Sequence, residues 1–161
     1  CGVRENILYR LWQDKKTMFL AAIDDIFRSR AQRWREILAE RPTPEEASAA
    51  LVAYEAKHQG EFGFYRVVFT ALVEAQDPEI REAITGMYLR FHDLLQQLID
   101  TSRKGEKPVA TPGLGADETA WAMIGLATVS NIIRELGLLR PRQREAMFVD
   151  TAEYLVTKSS P

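Results

Sequence analysis

The chain is poor in the residues that build covalent and metal chemistry. A single cysteine, Cys1, stands in 161 residues, so no internal disulfide can form, and such usage fits a reducing cytoplasm. No base accompanies that thiol, which leaves no catalytic cysteine to expect. Only two histidines are present, His58 and His92. Glu55 and His58 do spell Glu-x-x-His, the ligand pair of helical di-iron bundles, but one copy is half a site. His92 has Leu89, not a glutamate, three residues before it. No metal and no cofactor are expected. Long apolar runs are missing as well: the longest uncharged stretch, Thr119 to Ile133, is 15 residues, short of the ~20 that span a bilayer. No signal peptide is visible. Gly113-Leu114-Gly115 precedes a helix without a strand before it, so it reads as a loop and not as a phosphate cradle. Nothing assembles into an enzyme. No segment alternates with period two over a useful length, which excludes a sheet.

What is there is a helix-forming chain with 46% hydrophobic residues, enough for one globular unit with a core. Net charge is −2, and its distribution is uneven. Residues 1–41 carry nine Lys/Arg against six Asp/Glu, a net of +3, and residues 42–161 carry twelve against seventeen, a net of −5. The positive charge gathers at the front.

Helical spacing of Phe19, Ile23, Ile26, Phe27, Arg30, Trp34, Ile37 and Leu38 predicts one long helix from Lys15 to about Glu40. Thr43-Pro44-Glu45-Glu46 supplies a cap, a first-turn proline and a capping-box glutamate for a helix to about His58. An aromatic-rich helix is expected over 62–76 and, after the cap-and-proline start Asp77-Pro78, another to about Ser102. Residues 103–115, with Pro108 and Pro112, form the longest loop. Asp117 is expected to cap a helix to about Leu136, closed by Gly137, and Leu138 to Pro141 open a final helix. From Ala120 to Val129 nearly every residue is apolar or small, on all sides. Such a helix either lies at the centre of the bundle or offers a second face to a partner. The fold class is all-α.

The opening residues, Cys1 to Leu20, read as a turn at Gly2, a short helix to Trp12, a break at Gln13-Asp14 and a second helix from Lys15. Val3, Leu8, Leu11 and Trp12 share one arc, and Glu5, Asn6, Tyr9, Arg10 and Gln13 the other. An outward face rich in donors suits major-groove reading, although the same pattern marks many surface helices. Gly2-Val3, Leu8-Tyr9, the aromatic Trp12, Lys15 and Met18-Phe19 resemble, at the same spacing, the recognition-helix signature of the TetR family of bacterial transcriptional regulators. Three positions depart from its usual wording: Arg4 for Ser, which loses a hydroxyl cap, Ile7 for a small polar residue, and Leu11 for the frequent His.

The resemblance implies an all-helical bundle: a remnant of a helix-turn-helix DNA-binding head at 1–20, lacking that family's first two helices, and an effector-binding and dimerisation domain at 21–161. It implies that Tyr9 and Lys15 hold phosphates while Arg4, Glu5, Asn6 and Arg10 meet bases and nearby phosphates. Operator DNA would then be a partner once the preceding helices are restored. It further implies a homodimer through the last two helices, with Trp121, Ala122, Gly125, Val129, Met147, Phe148, Thr151 and Leu155 at the interface. The expected effector is small and hydrophobic, in a cavity among the helices. Trp34, Tyr65, Arg66, Phe69, Tyr88, Phe91 and His92 are its candidate contacts, the polar ones being Tyr65, Arg66 and His92. The functional expectation is a cytoplasmic repressor released from its operator by that effector. The rival from another class is a helical binding or scaffold module whose first helix merely packs.

Overall fold

A computed structural model describes residues 14–103 and 114–157. Among them are six α-helices and no strand: α1 (Lys15–Ala39), α2 (Pro44–His58), a 3-10 turn (Glu61–Gly63), α3 (Phe64–Val73), α4 (Pro78–Arg103), α5 (Ala116–Glu135) and α6 (Pro141–Thr157). The helix starts are written in short-range hydrogen bonds. Asp14 caps α1 by accepting from Thr17 N at 2.7 Å, and Thr43 caps α2 by accepting from Glu46 N at 3.2 Å. Asp77 accepts from Glu79 N at 2.9 Å, just ahead of the α4 proline. At the end of α5, Gly137 takes φ +63°, donates to Arg134 O, and lets Leu138 N reach Ile133 O at 3.0 Å. These paired bonds close the helix in the left-handed turn that glycine adopts without a Cβ clash.

Two boundaries differ from the sequence reading. The aromatic-rich helix expected over 62–76 is only Phe64–Val73, because Gly63 at φ +68° interrupts any earlier start and Asp77, ahead of Pro78, is committed to capping α4. Gly115, not Asp117, stands at the N-cap of α5. Asp117 lies inside the first turn, where its charge suits the helix dipole.

The core forms three joined clusters. Ile23 and Ile26 of α1 meet Val68 and Ala71 of α3 and Ile80, Ile84 and Met87 of α4. Further along α1, Trp34 and Ile37 pack on Leu51 of α2 with Phe91, Leu94 and Leu95 of α4 against them. Val52 and Ala56 of α2 close on Phe148 and Ala152 of α6, with Met123, Leu126 and Ala127 of α5 beside them. Thus α1 is held by α2, α3 and α4 along its length, and α5 and α6 complete the other side. Phe148, expected at the dimer face, is 2% exposed and belongs to this core.

Candidate functional site

A cavity of about 500 Å³ lies among the six helices, with Phe148 and Val156 the contribution of α6. Its walls are chiefly apolar: Ile26, Leu38, Leu51, Val52, Val68, Met87, Phe91, Leu95, Leu98 and Ile99 among them. Both its size and its lining fall in the range of small-molecule sites. Along α4 the wall runs from Met87 to Ser102, roughly 22 Å at the helical rise, so the space is a channel more than a chamber. The α1–α2 turn, Arg41 to Pro44, lines it together with Thr101 and Ser102 at the end of α4.

The polar groups stand in two places. Arg30 and Trp34 of α1 both donate to Glu55 Oε1 of α2, at 3.3 Å and 2.7 Å. All three line the cavity. Burial pushes the Glu55 carboxyl up from the ordinary glutamate value, and the Arg30 charge and the Trp34 N–H only partly offset it. The second place is Tyr65 of α3, Tyr88 of α4, and Thr128 and Asn131 of α5. The Tyr65 hydroxyl is closed off from solvent without a hydrogen-bond partner among the described residues. Its pKa is pushed up to about 12, first by burial and then by the neighbouring Tyr88 and Glu135. Tyr88 is raised as well by burial, against which a bond with Thr128 works.

Of the expected ligand contacts, Trp34, Tyr65, Tyr88 and Phe91 line the cavity. Arg66 instead lies at the surface in an ion pair with Glu135 at 3.3 Å, and Phe69 packs edge-on against Tyr65 with centroids 4.0 Å apart. His92 is buried but points elsewhere, with Nε2 3.4 Å from Asp117 O and 3.1 Å from Asp117 Oδ1 and its ring stacked on Trp121. The sequence reading missed Arg30 and Glu55 as site residues. The available signal was an arginine placed in the apolar stripe of α1, one turn before Trp34. Glu55, weighed there as half a metal pair with His58, is taken by Arg30 and Trp34, while His58 Nδ1 lies 2.9 Å from Tyr54 O. Among the described residues no group of three or more His, Cys, Asp or Glu is placed to hold a metal ion.

The raised Glu55 carboxyl sets a pH dependence. A group with its folded pKa above the unfolded one contributes stability at low pH and loses it as pH rises through the folded pKa. The melting temperature of Glu55→Gln minus that of the parent is therefore expected to become more positive as pH rises above 4.5. A flat difference from acid to neutral pH would show that Arg30 fully compensates the burial.

At the head end, Lys16 bridges α1 to the α3–α4 turn, with Nζ 2.8 Å from Asp77 and 2.7 Å from Glu79. This mutual pairing raises the Lys16 pKa and lowers that of Asp77. Lys15 is exposed beside it. Arg4, Glu5, Asn6, Tyr9 and Arg10 lie outside the described residues.

Fold comparison bears on these sites. A crystal structure of a TetR-family transcriptional regulator from Streptomyces coelicolor superposes with a TM-score of 0.75, at 16% identity, over 99% of this chain and 80% of that one. The chain has a TetR-family fold. No family model and no curated sequence matches it. The helices α5 and α6 come last in the chain, and α5 exposes apolar residues along one line. Trp121, Gly125 and Val129 of α5, at successive turns, are exposed, as are Leu136, Leu138 and Tyr154. A Cβ added at Gly125 would meet nothing, so no packing within the monomer requires glycine there. Ala122, Met147, Thr151 and Leu155 are half-buried on the same two helices. No helix among the described residues is long and apolar enough to cross a membrane.

Proposed function

We propose that the chain is a DNA-binding transcriptional regulator of the TetR type, a cytoplasmic homodimeric repressor released from its operator by a small hydrophobic effector. Residues 1–20 form part of the DNA-binding head, and residues 21–161 bind effector and dimerise. The observation that carries the reading is the position of the cavity: Ile26, Arg30, Trp34 and Leu38 of its wall belong to α1, the helix that follows in sequence, after the break at Gln13-Asp14, the segment resembling a recognition helix. An occupant therefore touches the element that aims the head. In the dimer, each recognition helix enters one of two successive major grooves, so a tilt of α1 changes the separation of the heads and weakens operator binding. Lys15, at the first turn of α1, meets a phosphate, and Arg4, Glu5, Asn6, Tyr9 and Arg10 face the groove and the backbone beside it.

Dimerisation uses the exposed side of α5 and α6. Trp121, Ala122, Gly125, Val129, Met147, Thr151 and Leu155 supply the contact, with Gly125 letting the backbones approach. The test of the whole reading is retention of genomic DNA fragments by a chain carrying a complete helix-turn-helix head, at two salt concentrations, beside the 161-residue chain. Selective, salt-sensitive retention by the complete head alone is expected. Equal weak retention by both would favour a helical scaffold module with no DNA role.

A further inference from the structure

Among the described residues, charge in the cavity wall is confined to three side chains, Arg30, Arg41 and Glu55. Arg41 is exposed in the α1–α2 turn. The other two pair with each other, so the interior is electrically balanced, with its buried charge at one spot and only neutral polar groups, Tyr65, Tyr88, Thr128 and Asn131, at the second. Both bonds from α1 converge on Glu55 Oε1, which leaves Oε2 as the carboxylate oxygen that a ligand donor would meet. Separating a buried pair exposes two poorly solvated charges and is strongly unfavourable. An anionic ligand would have to draw Arg30 away from Glu55, and a cationic one would have to draw Glu55 away from Arg30. A neutral group that donates to the carboxylate and accepts from the guanidinium or the indole N–H adds bonds without breaking the pair.

We propose that Arg30, Trp34 and Glu55 form the polar anchor of the cavity and select a neutral, elongated apolar molecule bearing a hydroxyl group, an aliphatic alcohol by class. The inference rests on the reading of the cavity as the effector site. It also gives the effector a point of action, because Arg30 and Trp34 sit on α1 and Glu55 on α2. A hydroxyl that donates to Glu55 Oε2 and accepts from α1 adds a ligand-mediated tie to the two bonds already joining α1 to α2, so occupancy changes how firmly, and at what angle, α1 is held.

The test is calorimetric titration of the 161-residue chain with four probes of one chain length, each below its micellar concentration: decanol, methyl decyl ether, decanoate and decyltrimethylammonium. Decanol is expected to bind at least about tenfold more tightly than either charged probe and severalfold more tightly than the ether, which cannot donate, in line with the cost of an unpaired polar group. Glu55→Gln leaves Arg30 unbalanced and is expected to reverse the order in favour of decanoate. Arg30→Gln should reverse it in favour of decyltrimethylammonium, and circular dichroism of each variant confirms that it is folded. Decanoate or decyltrimethylammonium binding the parent as tightly as decanol would overturn the selection of neutral ligands while leaving the effector cavity standing. An ether equal to decanol would overturn the requirement for a hydroxyl. An unchanged order in both folded variants would remove the anchor role. Failure of all four probes to bind parent and variants alike would remove the effector-site reading itself.

Discussion

Val129→Arg is expected to break the proposed dimer, raising its dissociation constant about 100-fold or more, with operator affinity falling alongside. Val129 is 50% exposed on the outer side of α5, one turn beyond Gly125 and two beyond Trp121. In a two-fold assembly the same patch meets itself, so each substitution enters the interface twice. A guanidinium carried into a desolvated apolar contact without a carboxylate partner loses hydration worth several kcal/mol, and two of them exceed the ~2.7 kcal/mol that a 100-fold change represents. The monomer has no comparable reason to suffer, since the side chain already stands half in solvent. Analytical ultracentrifugation across a concentration series measures the first effect, and the melting profile of the dissociated protein measures the second. A Val129→Arg protein that remains dimeric at unchanged affinity would place the interface on another surface.

Much of the architecture was legible because it rests on local chemistry. Thr43 and Asp77 cap the helices that the sequence assigned to them, Asp14 caps α1 at the break read before Lys15, and Gly137 closes α5, all through bonds spanning a few residues. The misplaced cap at Asp117 has the same origin in reverse. Its carboxylate is engaged by His92, 25 positions away, and no local pattern announces that. The cavity was half legible. Trp34, Tyr65, Tyr88 and Phe91 could be named from aromatic content, but an arginine and a glutamate in an apolar site acquire meaning only when α1 and α2 are laid side by side. Arg66 and His92 failed as ligand contacts for a related reason: a polar residue on a helix has several faces open to it, and partners across the bundle, Glu135 and Asp117, decided which one it took.

Phe148 carries the second large expectation, and it separates two readings of α6. Sequence periodicity puts Phe148 on one apolar side with Met147, Thr151 and Leu155, and the family resemblance assigns that side to the dimer. In the fold the residues of α6 divide: Arg144, Phe148 and Ala152, at successive turns, are buried against the rest of the monomer, while Met147, Thr151 and Leu155 lie at its edge. Phe148 touches the cluster of Val52, Ala56 and Ala152 and also lines the cavity. Truncation to alanine removes a buried ring and leaves a void that α2 and α5, pinned elsewhere, cannot close. Phe148→Ala is therefore expected to cost about 3–5 kcal/mol of folding stability, a fall of roughly 10 °C or more in melting temperature for a chain of this size. Because dissociation also lowers the melting temperature of a dimer by mass action, the measurement is made at two protein concentrations. A core residue lowers the melting temperature at both by the same amount and leaves the dimer dissociation constant nearly unchanged. Thr151→Arg, at the edge, is expected to do the opposite, weakening dimerisation while the isolated subunit keeps its stability. A Phe148→Ala protein with parental subunit stability and a weakened dimer would return the ring to the interface and require α6 to be rotated in the assembled protein.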